Sequence, residues 1–271
     1  MKGFHRLEDH GVVVVAAQSF RDEIESLGLT DAGGLDRWRA SGAPVAGGRS
    51  DSVRVRLPRS GTPVHLRPLA HGGWLRGLTG RRFLGLARPE AELATAATLV
   101  GRGVAVPEPL LFVARRSGPF REIDVGSRFV EESVSLDPWL ADGPTAAALA
   151  TAAHAVGLAV RRFHDAGARH ADLHVGNLLV DREAPGAVTI VDLDGVRLEA
   201  KTPPARRGRE LMRLRRSLEK RHPEHAETFF DALLEGYHAE GSDLREALDA
   251  PLRWGRWQNV ARRLGRGRQA G

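Results

Sequence analysis

Residues 169–196 constrain the fold of this chain more than any other stretch. They read RHADLHVGNLLVDREAPGAVTIVDLDGV, and within them Asp172 is followed five residues later by Asn177 and twenty residues later by Asp192. The β-branched run before Asp192 predicts a short buried strand. Each acidic side chain therefore follows a loop or an apolar element, and the fold has to bring two separate segments together.

The spacing of these three side chains is typical of phosphoryl transfer from a nucleotide. That chemistry needs a carboxylate that accepts the proton of the acceptor hydroxyl, together with an amide and a second carboxylate that hold metal against the phosphates. Asp172, Asn177 and Asp192 can fill these roles in that order. The alternative is an Asx-rich turn in which Asp172 and Asn177 only cap backbone groups. Turn chemistry does not require Asp192.

Length and composition limit the classes of protein to which the chain can belong. A chain of 271 residues is long enough for one large or two modest domains. The longest apolar run, Val12 to Ala17, is too short to cross a bilayer and follows acidic residues, which is the wrong flank for a secretory signal. We therefore expect a cytoplasmic protein. The absence of cysteine excludes disulfides and thiolate metal sites.

A hairpin with a glycine-rich loop is predicted in the first half of the chain. Residues 53–57 alternate apolar and basic, residues 58–61 form a turn, and residues 63–69 form a second strand. Gly47 and Gly48 precede the hairpin. Backbone N–H groups in such a loop can approach phosphate oxygens, which makes both glycines candidate nucleotide-binding residues. An ordinary turn is the alternative interpretation.

Arg67 is the candidate phosphate-pairing residue on the second strand of this hairpin. A kinase normally places a lysine there, but all except three of the 40 basic residues are arginine and no lysine lies between Lys2 and Lys201. A helix is predicted over residues 89–102, with Glu92 as the partner that would complete a strand–helix ion pair. Glu90 is the alternative partner, and a solvated arginine on the outer face of a strand is the alternative role.

Two basic amphipathic helices are predicted near the end of the sequence, over residues 206–218 and 251–268. With a net charge of +6 they favour an anionic partner, such as a membrane surface. For each helix alone, a solvated helix whose apolar stripe packs on the core is the alternative. Nucleic acid is not expected as a partner, because no base-reading motif accompanies the charge.

The chain resembles the Kdo kinase/heptose kinase family of lipopolysaccharide core biosynthesis, a branch of the protein-kinase-like superfamily. The resemblance extends from about Val64 to Tyr237. The residues that carry it are Leu66-Arg67 with Gly72-Gly73, Glu92, Val106-Pro107, His164 to Gly167, His170 to Leu173, Asn177, Asp192 to Asp194 and the basic stretch Arg213 to Lys220.

The resemblance implies an α+β, bilobal protein-kinase-like fold. An N-terminal extension (residues 1–45) would precede an N-lobe (46–134) that holds a small antiparallel nucleotide-binding sheet and one helix. A mainly helical C-lobe (135–271) would contain the catalytic loop.

The resemblance also implies a transferase that uses ATP and Mg²⁺ to phosphorylate a sugar hydroxyl, most simply Kdo on a lipid A precursor at the cytoplasmic face of the inner membrane. Asp172 would be the base, Asn177 and Asp192 the magnesium ligands, and Arg67 the phosphate-pairing residue. The loop His174 to Asn177 also looks like that of an aminoglycoside or choline kinase, which would act on cationic acceptors. A pseudokinase scaffold is the non-catalytic alternative.

Overall fold

The computed structural model describes residues 2–45, 51–70 and 82–237. The chain divides into two compact units. Unit 1 contains Met1–Gly101 and Pro107–Glu131, and unit 2 contains Arg102–Val106 and Glu132–Gly271. The predicted boundary between lobes near residue 135 lies three residues beyond the point where the chain re-enters unit 2.

Unit 1 is built on an antiparallel sheet. Its elements in chain order are β1 (Phe4–Asp9), β2 (Val12–Ala17), α1 (Arg21–Glu25), α2 (Gly34–Ala40), β3 (Ala43–Pro44), β4 (Val53–Arg56), β5 (Pro63–Pro68), β6 (Arg82–Phe83), α3 (Ala87–Gly101), β7 (Pro109–Ser117) and β8 (Phe120–Arg128). Within the described residues the sheet has eight strands in the order β1-β2-β7-β8-β5-β4-β3, and β6 also pairs with β8.

Both faces of this sheet are covered, which explains why β2 is apolar at every position. Val14 and Ala16 pack with Ile24, Leu35 and other residues of the α1–α2 region on one face. Val13 and Val15 pack on the other face, in a core that includes Leu93 of α3. Successive side chains of a strand point to opposite faces, so a strand between two apolar layers needs both sets of residues apolar.

The expected N-terminal extension is therefore part of unit 1. Residues 2–45 supply β1, β2 and β3 to the sheet and the two short helices that cover one of its faces. The sequence pattern showed the strand Val12–Ala17 but not its pairing with β7, because pairing depends on a strand that lies about a hundred residues further along the chain.

Unit 2 is mainly helical. Its elements are β9 (Ser133–Ser135), α4 (Leu136–Ala141), α5 (Ala146–Asp165), β10 (Ala168–Arg169), a 3₁₀ turn (Val175–Asn177), β11 (Leu178–Asp181), β12 (Val188–Ile190), β13 (Arg197–Leu198), α6 (Pro204–Arg221) and α7 (Pro223–Tyr237). Strands β12, β11 and β9 form one small sheet, and β10 pairs with β13.

The core of unit 2 depends on close contact between α5 and α7. A Cβ atom added at Gly157 of α5 would lie 2.0 Å from the carbonyl oxygen of Leu233, and one added at Gly236 of α7 would lie 2.0 Å from the carbonyl oxygen of His154. The two helices therefore pack backbone against backbone, which only glycine permits at these positions. Helix α5 ends at Asp165, and Gly167, with a φ of +77°, turns the chain into β10.

In the part of the chain that the structure describes, no helix has the length and apolar character needed to span a bilayer. The second predicted basic helix, residues 251–268, lies outside the described residues.

Candidate active site

The loop between β10 and β11 is held by buried polar contacts with α6 and with the segment that precedes Asp192. His170 is 2% exposed, and its backbone N–H donates to Oε2 of Glu210 on α6 at 2.9 Å. Its Nε2 lies 3.3 Å from the carbonyl oxygen of Val191, and its Nδ1 accepts the backbone N–H of Asp172 at 3.3 Å. His170 therefore connects the loop to the segment that carries Asp192.

The protonation state of His170 follows from these contacts. Burial lowers the pKa of His170, while the carbonyl of Val191 and the carboxylates of Asp192, Glu210 and Asp172 oppose that shift. Because Nδ1 accepts a hydrogen bond, the neutral ring carries its proton on Nε2, where it faces the Val191 carbonyl. His170 thus holds the backbone of the loop and of the segment before Asp192 through its two ring nitrogens.

Glu210 belongs to a buried chain of polar groups that spans three helices. His164 of α5 lies 3.2 Å from Glu210 Oε2 through Nε2 and 2.8 Å from the hydroxyl of Tyr237 on α7 through Nδ1. Burial raises the pKa of Tyr237 to about 12, although the nearby Arg207 guanidinium acts in the opposite direction. Helices α5, α6 and α7 are thereby joined beneath the loop, since each buried polar group satisfies another.

The carboxylate of Asp172 reaches solvent, with 63% of its side chain exposed. Its Oδ1 lies 3.3 Å from Nη1 of Arg213 on α6, and its Oδ2 lies 3.7 Å from Nε2 of His174. His174 accepts the backbone N–H of Gly176 through Nδ1 at 3.0 Å, so its other nitrogen faces Asp172. An accessible carboxylate on a fixed backbone has the geometry of a general base.

Asn177 links the loop to the strand end. Its side chain is buried, and its Nδ2 donates to the carbonyl oxygen of Asp172 at 3.0 Å. Its backbone carbonyl accepts the N–H of Val191 at 2.9 Å, which places the following residue, Asp192, next to the loop. The structure thus brings together Asp172, Asn177 and Asp192, the three residues singled out from their spacing.

Asp192 has a φ of +59°, in the left-handed region that is uncommon for residues other than glycine, although asparagine and aspartate adopt it more often than most. Non-glycine residues in this region concentrate at functional sites, where surrounding contacts hold them. Here the preceding residue is held on both sides, through its N–H by Asn177 and through its carbonyl by His170.

The oxygen donors of this site suit a hard divalent cation. The Asn177 amide uses its nitrogen on Asp172, which leaves Oδ1 for another partner, and Asp192 supplies a carboxylate. Within the described ranges no group of three or more His, Asp or Glu side chains forms a complete metal cage. One amide oxygen and one carboxylate match the one or two protein oxygens that Mg²⁺ usually takes, with phosphates and water completing its shell.

In unit 1 the side chain of Arg67 on β5 contacts Glu92 on α3. Glu90, the alternative partner, instead lies 3.7 Å from Arg6. The arginine is 24% exposed and Glu92 is 10% exposed, so the pair is shielded from solvent more than an ordinary surface ion pair. Gly47 and Gly48 fall in the connection between β3 and β4 and lie outside the described residues.

Sequence reasoning missed Glu210 and Arg213. Glu210 is one of two acids on a strongly basic helix, and it shares a helix face with Leu214 and Leu218, which are also buried. A carboxylate on the apolar face of an amphipathic helix indicates a buried acid with a specific partner. Nothing local indicated that Arg213 would lie beside Asp172.

A chain with a β-sheet unit and a helical unit, and with a loop carboxylate, a buried amide and a strand-end carboxylate, has the features expected of a phosphotransferase of the protein-kinase-like class. Residues 75–237 match the model of the lipopolysaccharide kinase (Kdo/WaaP) family. The chain belongs to this family.

Named relatives and a solved structure agree with this assignment. The chain is 34% identical over 188 residues to a 3-deoxy-D-manno-octulosonic acid kinase of Xanthomonas euvesicatoria pv. vesicatoria, which covers 67% of this chain and 71% of the relative. It is 28% identical over 213 residues to the kinase of the same name from Vibrio vulnificus, which covers 75% and 86%. The structure of WaaP in complex with acyl carrier protein superposes with a TM-score of 0.58 at 18% identity, and the alignment covers 92% of this chain and 97% of WaaP. The fold predicted from the sequence is confirmed.

Proposed function

We propose that the protein transfers the γ-phosphoryl group of ATP to a hydroxyl group of a 3-deoxy-D-manno-octulosonic acid (Kdo) residue on a lipid A precursor. The family and the names of the relatives support the reaction and the acceptor. The observation that carries the proposal is the exposed Asp172 carboxylate, whose own carbonyl is held by Asn177 at 3.0 Å.

Asp172 is the base in this proposal. It accepts the proton of the sugar hydroxyl as the hydroxyl oxygen attacks the phosphoryl group. The loop backbone does not have to reorganise for this step, because the N–H of Asp172 is bonded to His170 and its carbonyl to Asn177. Holding the base in position before the reaction lowers the entropic part of the barrier.

Asn177 Oδ1 and the Asp192 carboxylate hold magnesium in this proposal. When bound, the ion neutralises charge on the β- and γ-phosphate oxygens. Arg67 pairs with the nucleotide phosphates, and Glu92 fixes the direction of its guanidinium group. Gly47 and Gly48 are proposed to approach the phosphates through their backbone N–H groups. We thus assign nucleotide binding to unit 1 and proton abstraction to unit 2.

The acceptor of this reaction is a glycolipid, so the protein has to meet it at a membrane surface. The exposed basic residues of α6 support peripheral contact with the anionic cytoplasmic face of the inner membrane. Sedimentation with vesicles that contain anionic lipid, at low and high salt, tests this contact. Binding that persists in neutral vesicles would contradict an electrostatic attachment.

Phosphate transfer from labelled ATP to a purified Kdo–lipid A precursor tests the function. We expect a product whose mass is increased by one phosphoryl group and a dependence on Mg²⁺. Replacement Asp172→Asn should reduce the rate at least about 100-fold while nucleotide binding is retained. Turnover by Asp172→Asn equal to that of the wild type would refute the assignment of the base.

Aminoglycosides and choline serve as control acceptors in the same assay. An enzyme for such cations needs an acidic acceptor site, whereas the guanidinium group of Arg213 lies beside Asp172. Faster transfer to a cationic acceptor than to the Kdo acceptor would contradict the proposal. A protein without an Mg²⁺-dependent thermal shift in ATP would instead be a pseudokinase.

A further inference from the structure

Helix α6 presents a stripe of basic side chains to solvent. Arg209, Arg213, Arg216 and Lys220 are exposed, and their spacing of four, three and four residues places them on one face of the helix. The opposite face is buried through Leu211, Leu214 and Leu218. Arg213 is the member of this stripe that contacts the candidate base.

The stripe differs from the other basic side chains of unit 2 in its partners. Several of those are neutralised by acids, as in the pairs Arg161–Asp165, Arg206–Glu199, Arg207–Asp165, Arg215–Glu219 and Arg221–Asp137. Among the described residues, no carboxylate lies within 4.0 Å of Arg209, Arg216 or Lys220. In the same part of the chain, the carboxylate of Asp172, at 3.3 Å, is the single acidic partner of Arg213.

The position of Arg213 relative to the loop is set by two contacts of its own helix. Glu210, three residues before it, accepts the N–H of His170. Ser217, four residues after it, accepts the N–H of Val175 through Oγ at 3.4 Å. Both contacts tie α6 to the backbone of the loop, so the helix position that carries Arg213 is held next to the segment that carries Asp172.

The guanidinium group of Arg213 has N–H donors that its contact with Asp172 does not use. Arginine carries five N–H donors in a planar fork, and Asp172 uses Nη1 only. A bidentate contact with a carboxylate or phosphate group is the interaction for which this fork is best suited. Half of the Arg213 side chain is exposed, and ion pairs at such positions contribute little to folding stability. The pair with Asp172 therefore does not explain why an arginine stands at this position.

We propose that Arg213 binds the carboxylate group of the acceptor sugar acid and so directs one of its hydroxyl groups to Asp172. This inference rests on the proposed function and adds the residue that selects an anionic acceptor. An acceptor held by Arg213 has its hydroxyl groups within reach of the neighbouring carboxylate, since the two protein side chains already touch. Arg209 and Arg216 flank the site on the same helix face and increase the local positive potential.

Steady-state kinetics with two acceptors test the proposal. The acceptors are the Kdo–lipid A precursor and the same molecule with the Kdo carboxylate converted to its methyl ester. For Arg213→Ala we expect the acceptor KM to rise about 10- to 100-fold with the acid and to change little with the ester. The KM for ATP should stay the same. Arg213→Lys, which keeps the charge, should recover part of the loss.

Arg162→Ala is the matched control. Arg162 is an exposed arginine on α5, so its replacement changes the net charge by the same amount. Both variants should unfold at the temperature of the wild type. If Arg213→Ala instead lowers kcat equally for acid and ester and shifts the pH profile at an unchanged KM, Arg213 acts on Asp172 and the proposal is wrong. Kinetics equal to the wild type would refute it as well.

Calorimetric binding of the acid without ATP separates this inference from the proposed function. Binding that Arg213→Ala weakens, in a wild-type protein that transfers no phosphate, would refute the kinase function and support the anion site. Transfer by the wild type that Arg213→Ala leaves unaffected would refute the anion site alone. A wild-type protein that neither binds nor phosphorylates the acid overturns both.

Discussion

The backbone N–H of His170 donates to Oε2 of Glu210 at 2.9 Å, across a separation of 40 residues in the chain. The acceptor lies on α6 and the donor in the loop that carries Asp172. The contact therefore fixes the position of the loop backbone relative to α6. Both groups are buried. Because a buried N–H without an acceptor costs free energy, this contact specifies one loop conformation.

Replacement Glu210→Ala should lower both stability and turnover. It removes the acceptor of the His170 N–H and the partner of His164, and we expect the free energy of unfolding to fall by about 2 to 4 kcal/mol. Urea denaturation measures the loss. Glu219→Ala, on the same helix but half exposed and paired with Arg215, should change stability by less than about 0.5 kcal/mol. Equal losses in the two variants would show that Glu210 has no special role.

Asp192→Asn should weaken binding of the magnesium–nucleotide complex. An amide lacks the charge that attracts Mg²⁺, so the Mg²⁺ concentration needed for half-maximal activity should rise about tenfold or more. Asp194→Asn is the matched control, because it alters the second acid of the same D-L-D sequence. A larger effect of Asp194→Asn would show that Asp194, and not Asp192, is the magnesium ligand.

The contact of Arg67 with Glu92 predicts a coupled effect on ATP binding. Glu92→Gln should raise the KM for ATP about tenfold, because the guanidinium group loses the carboxylate that directs it. Arg67→Ala should raise it further, and the double variant should resemble Arg67→Ala alone. Glu90→Gln, two residues earlier on the same helix and next to Arg6, should leave the KM for ATP unchanged. Additive effects of Arg67 and Glu92 would contradict the coupling.

The buried position of His65 predicts that unit 1 loses stability in acid. Burial, with a smaller effect of Arg67, lowers the pKa of His65 from 6.5 to about 4, and its Nε2 is buried without a hydrogen-bond partner among the described residues. Between pH 6.5 and 4 the unfolded chain binds a proton that the folded protein excludes, so the free energy of unfolding falls as the pH decreases. The contribution is up to about 3 kcal/mol.

Denaturation of the wild type and of His65→Gln at several pH values between 4 and 7 measures this contribution. The variant should lose less stability on acidification than the wild type. His154→Gln, at an exposed position on α5, is the control replacement. Parallel stability curves for His65→Gln and the wild type would show that His65 titrates normally.

Gly157→Ala should destabilise unit 2. The added Cβ would lie 2.0 Å from the carbonyl oxygen of Leu233, so α5 and α7 would have to separate at a cost of about 1 to 3 kcal/mol or more. Thermal unfolding measures the loss. Gly101→Ala, at the end of α3, meets no atom within 4 Å and should have little effect. A stable Gly157→Ala variant would show that the helices do not pack this closely.

Local spacing in the sequence predicted a large part of the candidate site. The interval from Asp172 to Asn177 fits one short loop, in which the amide of Asn177 reaches back to the Asp172 carbonyl. The strand before Asp192 was visible because β-branched residues favour extended backbone. Position on the predicted helix left Glu90 and Glu92 as candidate partners of Arg67, and the packing of α3 on the sheet distinguished them.

Local patterns were sufficient to predict the hairpin of residues 53–69, the helix that carries Glu92, and the acid and amide side chains of the loop and strand end. The three-dimensional packing was needed to show that residues 2–45 belong to the sheet, that Glu210 supports the loop, and that Arg213 lies beside Asp172. The reason is physical. Backbone propensity and hydrophobic periodicity act over a few residues and show which face of an element is buried, whereas the identity of the element that covers this face depends on how distant segments pack.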